Sequence, residues 1–95
     1  MISRFNTLNA EAEAAAIIAS ACAAYGREGS LRYGQCLFNA ASARQPDFTS
    51  GIQGHPRLDC FHNDDNTDAF MAAFVKWRCR KDKAMLVRPW GHQHA

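Results

Sequence analysis

Ala14-Ala15-Ala16-Ile17-Ile18-Ala19-Ser20-Ala21-Cys22-Ala23-Ala24 is the stretch whose reading decides the fold. Alanine, the best helix former, supplies most of it, and the run has the composition of a helix interior. From Ala12 to Ala24 only Glu13 and Ser20 are polar. A helix apolar on every side needs cover on every side. Two arrangements satisfy that need: a central helix between two others, or a helix with one face turned to a second molecule. The run is eleven residues, too short to span a bilayer.

Outward from this run the helix extends over 6–26. Thr7 or Asn9 caps it, Glu11 and Glu13 suit the positive end of its dipole, and Gly26 stops it. A second helix is expected over 30–44, with Ser30 as cap and Leu31, Phe38 and Ala41 on one face. Gly34 inside it costs about 1 kcal/mol relative to alanine, which points to close backbone approach or to a tolerated glycine. Pro46 opens a short helical turn that Gly51 and Gly54 break. Residues 55–65 show no period, and Leu58 and Phe61 are their anchors to the core. Asp65 or Asn66 caps a last helix that runs to about Lys81. Its stripe of Phe70, Phe74 and Trp77 is expected to meet Phe38, with Leu31, Ile18 and Phe61 around them. Acids at its start and Arg78, Arg80, Lys81 and Lys83 at its end complement its dipole. The segment 84–95 reads as a C-terminal tail, docked by Leu86 and Trp90.

The fold expected is therefore all-α: a small bundle of three main helices, a short helical turn and a long ordered loop, in one domain over 1–95. Hydrophobic residues at 47% and charged residues at 21% exclude a disordered tail, a collagen-like repeat and a low-complexity linker. Eleven basic against nine acidic residues give +2, which demands no nucleic acid. Cys22, Cys36, Cys60 and Cys79 form no CxxC pair, so neither a zinc ribbon nor a thioredoxin motif is present. Two disulfides with three pairings are open to them. Four reduced thiols packed as small hydrophobes is the expectation. Ala19-Ser20-Ala21-Cys22 has the look of a poor lipoprotein box, yet Glu11 and Glu13 stand where a signal peptide is basic or apolar. A cytoplasmic protein with no membrane association is expected.

Arg32-Tyr33-Gly34-Gln35-Cys36-Leu37-Phe38-Asn39 carries an R-x-G-Q-x-x-x-N pattern. It resembles a helix found in small bacterial proteins of unassigned function, some on phages or other mobile elements. Those proteins continue with a proline-led turn, an acidic D-P-F-like segment and a last helix rich in Phe or Leu. Here Asp59-Cys60-Phe61-His62 holds the second place, with Cys60 where proline is usual. The resemblance covers roughly residues 31–75. It implies a small helical fold and no activity.

Arg32, Gln35, Asn39 and Ser42 recur at intervals of three and four and make one polar stripe without lysine or glutamate. It is either a set of side chains that hydrogen-bond the irregular loop, a partner-recognition face, or a plain solvated face. With Asp59 and His62, the residues Arg32, Gln35 and Asn39 are the candidates for pinning or recognition. An irregular loop needs such donors, because buried polar groups must be paired. Asp59, Cys60, His62, Asp64 and Asp65 hold metal-ligand chemistry but match no known ligand spacing, so no metal and no cofactor are expected. Cys60 and His62 lack a surrounding catalytic signature, and no enzyme is expected. Lys76, Arg78, Arg80, Lys81, Lys83 and Arg88 hold over half of the basic charge and could contact phosphate. Ala15, Ala19 and Cys22 are the candidate dimer face of the first helix. The reading is a small non-catalytic interaction protein, an accessory of a mobile element, working as a homodimer with an unidentified protein partner. The alternative is a nucleic-acid-binding protein using the basic C-terminal helix.

Overall fold

The computed structural model describes the backbone of residues 2–27 and 29–91, and the side chains of 8–27 and 29–82. The fold is all-α. α1 spans Ile2–Arg27, α2 Tyr33–Arg44, α3 Pro46–Ile52 and α4 Thr67–Gly91, with a 3-10 turn at Asp64–Asn66 before α4. No strand occurs among the described residues. α1 packs along both α2 and α4, and α3 packs on α2.

Helical phase decides which part of α1 is inside. Ala10, Ala14, Ile17 and Ala21 are buried and Ala24 is partly buried, a repeat of four and three. Ile18 lies about 100° further round and is 39% exposed, so it is not among the core residues as expected; Ile17 takes that place. Phe70 and Phe74 are fully buried, while Phe38, Trp77 and Leu31 pack against the core from its edge.

Phe48 is the residue that joins these parts. It lies on α3, is 3% exposed, and packs edge-on to Phe70 and Phe74 with ring centroids 5.3 Å away in both cases. Trp77 is 5.5 Å from it. Pro46 at the first helical position starts this short helix, and Thr49 Oγ1 donates to the Pro46 carbonyl at 3.2 Å. Seven residues form no stable helix alone. Burial of the Phe48 ring gives α3 its stability.

Several boundaries differ from the sequence expectation. α1 begins at Ile2, so Thr7 and Asn9 lie inside the helix and do not cap it, and α3 continues through Gly51 to Ile52. α2 begins at Tyr33 with Arg32 in extended conformation as its cap, and Ser30 is exposed. Asn63, rather than Asp65 or Asn66, is the cap, and it caps the 3-10 turn that leads into α4: its side chain accepts from the Asp65 N–H at 2.9 Å. α4 does not stop near Lys81 but continues to Gly91, so 84–91 is helix rather than tail. No glycine or proline interrupts it before Pro89, and Ala84, Met85 and Leu86 are strong helix formers. The expected docking of Leu86 and Trp90 falls on side chains outside the described residues.

Candidate functional site

The N-terminus of α2 is completed by the loop. Gln35 accepts the Arg32 N–H at 3.0 Å, half of a capping box. The next free donor, the Gly34 N–H, is taken by Asp64 Oδ1 at 3.0 Å, thirty residues away in the chain. Asp64 Oδ1 also accepts from Arg32 Nε at 3.4 Å, and the Arg32 guanidinium donates to the Phe61 carbonyl. Gly34 allows this approach. A methyl group there would overlap the Cys60 carbonyl oxygen and come within 2.5 Å of Asp64 Oδ1. The close backbone approach at this glycine is therefore that of the loop. Cys60 Sγ donates to the Gly34 carbonyl at 3.3 Å, and burial pushes its thiol up to about 12, which leaves it inert.

Of the polar stripe, Arg32 thus reaches the loop, while Gln35 closes the cap of α2 on the Arg32 N–H. Asn39 is exposed on α2. Asp59 is 3% exposed and holds the loop from inside: Oδ2 accepts the Gly54 N–H at 2.6 Å and Oδ1 the Phe61 N–H at 2.8 Å. Gly54 has φ +82°, a conformation that favours glycine. His62 is exposed, with Nε2 4.0 Å from Asp59 Oδ2. No disulfide joins Cys22, Cys36, Cys60 and Cys79. Among the described residues no group of three or more His, Cys, Asp or Glu is placed to hold a metal ion.

A second polar cluster was not foreseen. Glu13, expected only as a helix-start charge, is 11% exposed and accepts from three directions. Arg78 Nε reaches Oε1 at 2.7 Å, Arg44 Nε reaches Oε2 at 3.2 Å, and Gln45 Nε2 bridges both oxygens at 3.0 and 3.1 Å. Burial works against its charge. The hydrogen bonds from Arg78, Gln45 and Arg44, with the positive charge of Arg78, outweigh burial and hold the carboxyl below its ordinary value. One carboxylate thereby ties α1 to the end of α2 and to α4. The signal in the sequence is its isolation: it is the single charge between Ala12 and Ala24.

This cluster draws on the basic patch. Arg78 also pairs with Asp82, and Lys81 donates to Gln45 Oε1 at 2.9 Å while lying 5.0 Å over the Trp77 ring. Lys76 and Arg80 are exposed, and the side chains of Lys83 and Arg88 lie outside the described residues.

The remaining feature is the outer face of α1. Ala15, Ala19 and Cys22 are exposed, as are Leu8, Ala12 and Gly26. Positions 8, 12, 15, 19, 22 and 26 repeat at four and three, so they form a seam of the coiled-coil type on the side opposite the buried one. Leu8 at 59%, Ile18 at 39% and Tyr25 at 51% are the exposed large hydrophobic side chains among the described residues, and all three are on α1. No described helix is long and apolar enough to cross a membrane. Compared with protein-family models, curated proteins and solved structures, the chain matches none.

Proposed function

We propose that this chain is a small non-catalytic interaction protein of the cytoplasm, working as a homodimer that presents its remaining surface to a further protein partner. An accessory role in a mobile element belongs to the same reading, since some of the proteins it resembles are carried by such elements. The observation that supports the reading is the second seam of α1: a helix with one heptad-spaced face in the core carries an equally regular one in solvent. In an antiparallel pair about a twofold axis the largest seam residue meets the smallest. Leu8 then faces the partner's Gly26, Ala12 the partner's Cys22, and Ala15 the partner's Ala19. Small side chains let the backbones approach closely, and each positive helix end lies beside a negative one. Ile18 and Tyr25 flank the seam and add the apolar area that alanines lack.

Light scattering at tens of micromolar in reducing buffer tests it. The expected mass is twice 10.5 kDa, and Ala19→Glu restores the single mass with an unchanged helical spectrum. A wild-type monomer at that concentration overturns the reading. Nucleic-acid binding through α4 is the weaker alternative, because Arg78 and Lys81 are already engaged within the molecule. A titration with mixed duplex DNA separates the two: a steep salt slope favours the alternative, and no binding at low salt removes it.

A further inference from the structure

The two flanks of the α1 seam are unlike. Glu11, Ile18 and Tyr25 are all exposed and stand seven residues apart, so they form one line along one flank. The other flank holds Asn9, Ala16 and Ala23. The Tyr25 ring is already positioned within the molecule: it meets the Tyr33 ring of α2 edge-on, with centroids 5.9 Å apart and planes at 83°. Neither the Glu11 carboxylate nor the Tyr25 hydroxyl has a hydrogen-bond or ion-pair partner among the described residues.

Orientation decides what that line meets. In a parallel pair each flank faces the opposite flank of the second helix, so Glu11 meets the partner's Ala16 and Ile18 the partner's Ala23. The carboxylate and the hydroxyl then gain nothing. In an antiparallel pair about a twofold axis each flank faces the same flank run in reverse. Ile18 then lies against the partner's Ile18 at the axis. Glu11 and the partner's Tyr25 both fall between two layers of the seam, that of Leu8 with the partner's Gly26 and that of Ala12 with the partner's Cys22. The line is complementary to itself when reversed: an acceptor at one end, a donor at the other, and an apolar side chain between them. A hydroxyl that donates to a carboxylate makes a charge-assisted bond, roughly twice as strong as a neutral one.

We propose that Tyr25 and Glu11 form a reciprocal pair between two copies of this chain, each Tyr25 hydroxyl donating to the partner's Glu11 carboxylate, and that this pair sets the antiparallel orientation of α1 on α1. The proposal rests on the α1 seam as the association surface and adds what aligns it. Small seam residues fix how closely two helices approach, while the flanking polar residues select orientation and partner.

The test has two parts, both on the full chain. The first is disulfide cross-linking under mild oxidation in a Cys22→Ala background, with the linked residues identified by mass spectrometry. A mixture of the Glu11→Cys and Tyr25→Cys variants is expected to give a linked dimer through these two positions, and each variant alone none. The wild type is expected to give no link between its two Cys22 residues, which lie ten residues, about 15 Å, out of step in the antiparallel pair. The second part is the dimer dissociation constant by analytical ultracentrifugation. Tyr25→Phe keeps the ring contact with Tyr33 and removes the donor, and it should raise the constant about tenfold for the two bonds lost. In a Glu11→Ala background the same change should add nothing further. A dimer in which the wild type links through Cys22 and the mixture does not, or a Tyr25→Phe dimer as tight as wild type, overturns the proposal and leaves the association surface standing. A wild-type monomer overturns both.

Discussion

At the scale of single residues, Gly34 is where local preference and tertiary packing oppose each other. Helix propensity alone makes Gly34→Ala a gain of about 1 kcal/mol. The Cys60 carbonyl oxygen lies in the place of the added methyl, and it is backbone, so it cannot rotate away. We expect Gly34→Ala to lower stability by about 1–3 kcal/mol, the range of overpacked sites. Urea denaturation decides it, since a raised midpoint would mean that the loop does not approach α2 as described.

At the scale of elements, the helices are joined by one apolar and one ionic device. Phe74 is fully buried between α3 and α4, in contact with Phe48 and Trp77. Phe74→Ala should cost about 3–5 kcal/mol, a large part of the stability of a domain of this size. Thermal melting within a degree or two of wild type would refute the assignment of that face. Glu13 supplies the ionic device. Its carboxyl titrates lower in the folded chain than its ordinary 4.5, so its contribution is complete above 4.5 and is lost as the pH falls through the folded value. Glu13→Gln should therefore be less stable than wild type at pH 7, and the gap should narrow at pH 3. A gap of constant size across melts at the two pH values would show that charge at Glu13 is irrelevant.

At the scale of the whole molecule, shape explains why one face of α1 is left open. Two helices of 26 and 25 residues set the length, and the extents are 50 × 24 × 19 Å. The radius of gyration, 14.7 Å, exceeds the roughly 12 Å of a compact chain of this size. An elongated molecule two helices wide covers a long helix from one side only. Antiparallel association along α1 doubles the mass and the width but hardly the length. Small-angle scattering of the dimer should give a maximum dimension far below twice 50 Å. A doubled mass with a maximum dimension near twice 50 Å would place the contact at the ends of the molecule instead.

The all-α class was legible in the sequence because it rests on local terms: alanine propensity over 14–24, the Phe70–Phe74–Trp77 period, and the stops at Gly26 and Pro46. The polar character of Arg32 and Gln35, and the need of residues 55–65 for donors, were legible for the same reason. Tertiary structure decided the rest. Which of Ile17 and Ile18 is buried depends on the phase at which α1 docks, and a helix of alanines on all sides carries almost no amphipathic signal to set that phase. The start of α2 depends on Asp64, thirty residues beyond Gly34, and no propensity of Ser30 or Arg32 encodes a donor–acceptor pair so distant. Phe48 and Glu13 gained their roles in the same way. Phe48 looks ordinary in its own segment and Glu13 stands out there only by its isolation, and each is defined by three partners that only the packed chain brings within reach.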